Sequence, residues 1–127
     1  MAMLKILVAD DIYSNRLLLK ELIKTTGNEC VLVDDGEKAI KMLGKEAFNL
    51  VLMDIEMPVM NGIEAINHIR NEMEFPLNAI PIIALTAHNP DLFFEDYKDV
   101  GFDELLTKPY SVEKLRTKIN AIIPTTE

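Results

Sequence analysis

The sequence predicts an α/β fold with a five-stranded parallel sheet. Short apolar runs alternate along the chain with stretches whose apolar residues recur every three or four positions, which is the rhythm of right-handed βαβ crossovers. The run Leu50-Val51-Leu52-Met53 is apolar throughout and is followed by Asp54 and, four residues later, by Pro58. An uninterrupted run bounded by turn signals is typical of a strand buried on both faces of a parallel sheet.

Five strands are predicted from the apolar runs. In chain order they cover residues 3–9, 30–33, 49–53, 82–85 and 103–106. The first run ends at Asp10-Asp11, and the second ends at the turn Asp34-Asp35-Gly36. Because polar and turn-forming residues follow the runs directly, the strands are short and their ends are well marked.

Five helices are predicted between and after the strands. The first begins near Tyr13, with Ser14 or Asn15 as its cap and Gly27 as its end. The other four are expected over residues 37–43, 63–73, 90–98 and 111–122. Asn61 is the natural cap for the helix over 63–73, and Ser111 would cap the last one. Gly62 would permit a positive φ or a close approach of the chain just before the third helix.

The composition is that of an ordinary globular protein with one core. Of the 127 residues, 49% are apolar and 27% are charged, and we assign residues 1–123 to one domain and 124–127 to a short tail. The net charge of −8 argues against nucleic acid or an anionic membrane as a partner, since phosphates favour clustered Lys and Arg. Cys30 is the one cysteine, and no early apolar run is long enough for a signal sequence or a membrane span, so we predict a cytoplasmic protein.

Polar residues stand at the carboxyl ends of four predicted strands. Asp10 and Asp11 follow the first strand and Asp54 the third, while Thr86 and Lys108 follow the fourth and fifth. Ligands of open α/β sheets bind at this edge. Three carboxylates that meet there repel one another unless a cation lies among them, and oxygen ligands with room for water suit Mg²⁺. The set predicts a phosphoryl site in which Asp54 attacks phosphorus in line.

From Met3 to about Ile122 the chain resembles the receiver domains of response regulators in two-component signalling. The residues that carry the resemblance are Asp10-Asp11, Asp54 followed by Met57-Pro58 and Gly62, Thr86-Ala87, and Lys108-Pro109. The resemblance implies a flavodoxin-like doubly wound sheet with strand order 2-1-3-4-5 and five helices. It also implies a cis peptide bond between Lys108 and Pro109.

The resemblance also implies a role for each site residue. Asp54 would be the phospho-acceptor. The Mg²⁺ ions of this family are held by oxygen atoms, which here would come from Asp11, Asp54, the backbone carbonyl of Glu56 and, through water, Asp10. The phosphoryl group would be held by Thr86, the backbone of Ala87 and Lys108.

As a receiver the chain would be a signalling module rather than an enzyme, with self-catalysed phosphoryl transfer and autodephosphorylation. Its donor would be a histidine kinase or a histidine phosphotransfer protein, and its output would reach an effector protein through changed protein–protein contacts. Two sequence segments resemble those of receivers attached to hybrid sensor kinases. They are Asp10-Asp11 followed by Asn15-Arg16, and the segment from Met53 to Pro58.

One residue departs from the usual receiver pattern, and two others are expected to affect the lifetime of the phosphorylated state. The family's switch position, three residues before the lysine, usually holds Tyr or Phe, and here it holds Leu105. Phe102 and Tyr110 are the aromatic residues nearby that could replace it. Glu56 and His88 stand two positions after Asp54 and Thr86 and are expected to flank the water that hydrolyses the acyl phosphate, so we predict that they tune the lifetime of the phosphorylated state.

Other functions remain as alternatives. A degenerate receiver could act only as an interaction scaffold, although the complete set of acids, threonine and lysine argues against it. A Mg²⁺-dependent phosphatase of the haloacid-dehalogenase type would carry its nucleophile after the first strand in Asp-x-Asp, whereas here Asp54 follows the third. A flavodoxin-like cofactor binder would need a Ser/Thr/Gly-rich loop where Asp10-Asp11 stands, which would repel phosphate.

Overall fold

The computed structural model describes residues 3–87, 95 and 97–123. Its sheet has five strands, which are β1 Lys5–Ala9, β2 Glu29–Val33, β3 Leu50–Asp54, β4 Ile82–Thr86 and β5 Glu104–Thr107. All neighbouring strands are parallel, in the order β2-β1-β3-β4-β5. The predicted sheet and its strand order are confirmed.

The described residues contain four α-helices rather than the predicted five. They are α1 Tyr13–Thr25, α2 Gly36–Leu43, α3 Gly62–Glu72 and α4 Val112–Ile122, and a short 3-10 helix covers Leu77–Ala79. The helix predicted over 90–98 falls largely outside the described residues. Within the described part of the chain, no helix combines the length and apolarity needed to cross a bilayer.

The helices cover both faces of the sheet because strand side chains alternate between the faces. On β1, Leu7 and Ala9 pack in a cluster with residues of α2 and α3, whereas Ile6 and Val8 pack with residues of α1 and α4. These two clusters are called the α2–α3 layer and the α1–α4 layer below. Every residue of β3 and β4 is buried, as the uninterrupted apolar run of β3 predicts.

The helix starts show which caps the sequence predicts correctly. Asn61 forms a capping box with Glu64 at the start of α3, and Ser111 caps α4 by accepting a hydrogen bond from the amide of Lys114. The expected cap of α1 by Ser14 or Asn15 is wrong, since α1 follows Ile12 and has no side-chain cap. The sequence before Tyr13 is instead held by Asp10, as described below.

Arg70 of α3 joins three segments at the amino ends of β4 and β5. Its Nε donates to the carbonyl of Gly101 at 2.8 Å and its Nη1 to the carbonyl of Asn78 at 3.0 Å. Its Nη2 lies 3.0 Å from Oδ2 of Asp103, which also accepts the amide of Ile82 at 2.8 Å. A charged hydrogen-bonding fork of this kind fixes the loops that precede both strands.

Candidate functional site

A cleft of about 260 Å³ opens at the carboxyl end of the sheet. Its lining comes from the segments that follow β1, β3, β4 and β5, and consists of Asp11, Ile12, Asp54, Ile55, Glu56, Thr86, Ala87 and Lys108. Six of these eight residues are among those that the sequence singles out. The parallel register brings them together, because the strand ends align at one edge.

Three carboxylates meet at this cleft. Asp10, Asp11 and Asp54 each offer one oxygen, and the three atoms lie within 4.8 Å of one another. Asp10 is fully buried and Asp54 is 3% exposed, while Asp11 is open to solvent. Three negative charges at this separation, two of them buried, are unfavourable without a counter-ion.

Both carboxylate oxygens of Asp54 have a partner. Oδ1 accepts a hydrogen bond from the amide of Glu56 at 3.1 Å, and Oδ2 lies 3.4 Å from Nζ of Lys108. Burial, and after it the charge of Asp10, raises the pKa of Asp54 to about 6, against the lowering effect of Lys108. Asp54 is therefore mostly ionised at neutral pH, which is the form in which a carboxylate can act as a nucleophile.

The carboxylate of Asp10 is only half satisfied. Its Oδ1 accepts the amide of Ile12 at 2.9 Å and a weaker donation from Asn15 Nδ2 at 3.5 Å, and its carbonyl accepts from Arg16 Nη1 at 2.8 Å. Its Oδ2 is buried and has no hydrogen-bond partner among the described residues. A cluster of oxygen donors with one buried, unpartnered oxygen fits a hydrated divalent cation such as Mg²⁺.

Gly62 presses against the backbone of the acid. A Cβ atom at this position would overlap the carbonyl oxygen of Asp54 and come within 2.9 Å of the Cα of Ile55. The amide of Gly62 donates to the carbonyl of Ile55 at 3.0 Å. Of the two explanations that the sequence allows for this glycine, the close approach is the one observed, since its φ is not positive.

The loop between Asp54 and α3 contains a strained turn. Val59 has a φ of +68° and is 76% exposed, and the amide of Met60 donates to the carbonyl of Pro58 at 2.7 Å across it. This is a γ-turn of the rare kind, which is unfavourable for a β-branched residue. The turn aims the carbonyl of Met60 at the amide of Gly36, 3.0 Å away, so it ties the loop to the start of α2.

Thr86 and Lys108 complete the cleft on the side of β4 and β5. Thr86 is 2% exposed, and its carbonyl accepts the amide of Lys108 at 2.9 Å. The peptide bond between Lys108 and Pro109 is cis. Leu105 is partly buried against the α2–α3 layer, and His88 lies outside the described residues.

The sequence analysis names Arg16 and Tyr110, but it does not indicate the places they take in this region. The guanidinium of Arg16 reaches the Asp10 carbonyl only because α1 begins at Tyr13, and no local signal marks that contact. Tyr110 is buried in the α1–α4 layer, and its hydroxyl lies buried without a partner among the described residues. The sequence suggests Tyr110 only as an aromatic replacement at the switch position, whereas Tyr110 lies in the α1–α4 layer and Leu105 packs against the α2–α3 layer.

The family model of the response regulator receiver domain matches residues 6–120. Sensor protein GacS of Pseudomonas syringae pv. syringae is 40% identical over 112 residues, which are 87% of this chain and 12% of that protein. Transcriptional regulatory protein CpxR of Escherichia coli K12 is 34% identical over 119 residues, or 94% of this chain and 49% of that protein. The chain therefore spans half or less of these relatives.

Solved structures with the same fold include two bacterial receivers. Chemotaxis response regulator CheY4 of Vibrio cholerae superposes with a TM-score of 0.86 at 28% identity, covering 96% of this chain and all of that one. The receiver domain of sensor histidine kinase PA1611 of Pseudomonas aeruginosa gives a TM-score of 0.87 at 27% identity, with 98% and 100% coverage. That structure has a magnesium ion coordinated in its active site cleft.

Proposed function

Because this chain belongs to the response regulator receiver domain family, we propose that it is a phospho-accepting switch whose acceptor is Asp54. The phosphoryl group would come from the phosphohistidine of a histidine kinase or a phosphotransfer protein. The observation that carries the proposal is the convergence of a buried carboxylate, a lysine 3.4 Å away and two further acids in one cleft. Receivers are signalling modules, and the family resemblance of this chain extends over most of its length.

In the proposed transfer, a carboxylate oxygen of Asp54 attacks phosphorus while the bond between phosphorus and the donor histidine breaks. The product is an acyl phosphate, and the histidine leaves with the electron pair of the broken bond. Oδ2 faces Lys108, so the ammonium would move from the carboxylate to the phosphoryl oxygens as they arrive. The amide of Glu56 holds Oδ1 and limits rotation of the carboxylate.

The acids would hold Mg²⁺ through Asp11, Asp54 and the carbonyl of Glu56, with Asp10 acting through water. When bound, the ion supplies positive charge that offsets the repulsion among the acids and the charge of the phosphoryl oxygens. Thr86 and the backbone of Ala87 line the same cleft and would bind the remaining phosphoryl oxygens.

Acylphosphate formation can be tested with the isolated chain. The protein is incubated with Mg²⁺ and acetyl phosphate, and its intact mass is measured beside Asp54→Asn and Asp99→Asn, the latter an exposed carboxylate elsewhere. Wild type and Asp99→Asn should gain one phosphoryl group in a metal-dependent manner, and Asp54→Asn should gain none. No gain in wild type, or a gain that survives in Asp54→Asn, would contradict the proposal and favour a scaffold role.

We further propose that Glu56, His88 and Leu105 adjust the response of this receiver. Glu56 lines the cleft beside the acceptor, and Leu105 offers no aromatic ring at the position where receivers usually carry one. After removal of the donor, the decay of the phosphorylated mass should change in a Glu56→Ala, His88→Ala double variant. Identical decay in variant and wild type would exclude the tuning role.

The output would be a change in protein–protein contacts with an effector in the cytoplasm. The relatives named above include a sensor kinase and a transcriptional regulator, and both carry a receiver as one part of a longer chain. The proposed acceptor chemistry is the same whether a receiver works within a sensor kinase, within a transcriptional regulator or by itself.

A further inference from the structure

Two buried side-chain atoms have no hydrogen-bond partner among the described residues, and they are chemically complementary. One is Oδ2 of Asp10 and the other is the hydroxyl of Tyr110. An ionised carboxylate only accepts hydrogen bonds, and a tyrosine hydroxyl can donate one. Buried polar atoms in native proteins are paired with few exceptions, so an unpaired acceptor and an unpaired donor in one region call for a common explanation.

The two groups lie in the same layer of the molecule. Ile6 and Val8 of β1 face the α1–α4 layer, and Asp10 continues that alternation at the end of the strand. Tyr110 belongs to the same cluster and is 9% exposed. Since Tyr110 also follows the carboxyl end of β5, it lies on the face of the sheet that the alternation assigns to the side chain of Asp10, near the same edge.

The electrostatic environment of the hydroxyl agrees with this placement. Burial is the main reason why the pKa of Tyr110 lies above its usual value, and the negative charge of Asp10 is the next cause, ahead of Asp54. The charge of Asp10 therefore raises the pKa of the Tyr110 hydroxyl more than the charge of Asp54 does. Asp54 is also the poorer partner because each of its oxygens already has a donor, the amide of Glu56 and Nζ of Lys108.

We infer that one buried water accepts a hydrogen bond from the hydroxyl of Tyr110 and donates one to Oδ2 of Asp10, and that Tyr110 is a positioning residue for the acid cluster. A carboxylate has about four lone-pair sites, so this bond leaves room for the hydrated cation. The pairing would orient Asp10 toward the cation, and this consequence rests on the proposed function. Partners that orient metal-binding carboxylates typically alter metal affinity when removed.

The pairing itself is tested without metal by a double-mutant cycle on unfolding. Tyr110→Phe removes only the hydroxyl, and Asp10→Ala removes the acceptor. With Asp10 present, Tyr110→Phe should raise the unfolding equilibrium constant about tenfold. In the Asp10→Ala background it should have no effect or lower the constant, because the hydroxyl is then buried without an acceptor. Tyr13→Phe, at an exposed tyrosine, is the matched control and should change nothing.

Either of two results would overturn the pairing. One is a Tyr110→Phe protein as stable as wild type or more stable, and the other is an equal loss in both backgrounds. The positioning role is then read from Mg²⁺ titrations by calorimetry, in which Tyr110→Phe should weaken binding about tenfold and Tyr13→Phe should not. Unchanged affinity in Tyr110→Phe overturns the positioning role. Failure of wild type to bind Mg²⁺ overturns the proposed function instead, while the metal-free cycle still decides the pairing.

Discussion

At the amino ends of β4 and β5 the guanidinium of Arg70 is matched by two carbonyls and the carboxylate of Asp103. At the carboxyl edge of the sheet, by contrast, three carboxylates lie together and one of them, Asp54, contacts Lys108. At the first edge every charge that the structure describes in the cluster has its partner, and the charges fix loops. At the second edge like charges are held close and one buried oxygen is left without a donor. The contrast indicates that the amino edge stabilises the fold. The carboxyl edge, which forms the cleft, lowers the stability of the fold through repulsion between its carboxylates.

Removal of Arg70 should produce the largest loss of stability. Arg70→Ala breaks three hydrogen bonds and leaves the carbonyls of Gly101 and Asn78 and the carboxylate of Asp103 without that donor. We expect the free energy of unfolding, measured in urea, to fall by about 3 kcal/mol. Arg116→Ala, at an exposed position of α4, should cost less than about 0.5 kcal/mol. Similar losses in both variants would show that the amino edge is no more stabilising than an ordinary surface.

Neutralising Asp54 should have the opposite sign and depend on pH. The pKa of Asp54 is about 6 in the fold, above its ordinary value of 3.8, so the native state binds more protons than the unfolded chain between these values. The contribution of this group is favourable below about pH 4 and is lost as pH rises through 6. Without Mg²⁺, Asp54→Asn should therefore be more stable than wild type by about 2 kcal/mol at pH 7.5 and equal to it at pH 4.

The measurement is a pair of urea unfolding curves at each pH in the presence of a chelator. Asp99→Asn serves as the control for loss of a carboxylate at an exposed position and should show no such pH-dependent gain. A destabilised Asp54→Asn at pH 7.5 would mean that the ion pair with Lys108 outweighs repulsion, and that the carboxyl edge is not electrostatically strained.

Relief of the turn at Val59 should give the smallest effect. Its φ of +68° is disfavoured for a β-branched residue by about 1 kcal/mol or more, and asparagine tolerates this region better. Val59→Asn should raise the free energy of unfolding by about 1 kcal/mol in a thermal or urea melt. Val59→Ala keeps a Cβ in the same conformation and should gain less. Equal stability of all three proteins would show that the turn stores no strain.

The sheet could be predicted from the sequence because its strands are short apolar runs with polar residues at their ends. The same pattern predicted the site, since parallel strands place Asp10, Asp54, Thr86 and Lys108 at one edge without any knowledge of side-chain contacts. Asn61 and Ser111 were predictable caps because their hydrogen bonds are local.

The features that the sequence did not predict are of two kinds. Some depend on contacts between residues far apart in the chain, and others contradict the local conformational preference of the residue. Arg70 reaches Asp103 across 33 positions, and no periodicity signals such a pair. Val59 occupies a conformation that its own side chain disfavours, so propensity points the wrong way. The segment before α1 is fixed by the hydrogen bond from the amide of Ile12 to the Asp10 carboxylate. Helix α1 therefore begins at Tyr13 without the Ser or Asn cap that local preference predicts.

Gly62, which lies against the backbone of Asp54, limits which substitutions this domain can accept. Gly62 leaves no space for any side chain next to the carbonyl of Asp54, so a substitution there would displace the main chain of Asp54, the proposed acceptor. Glu56 and Ala87 contribute to the cleft through their backbones, and no such overlap restricts their side chains. Side chains of the cleft lining can thus be exchanged at low steric cost, whereas any side chain at position 62 would clash with the main chain of the proposed acceptor.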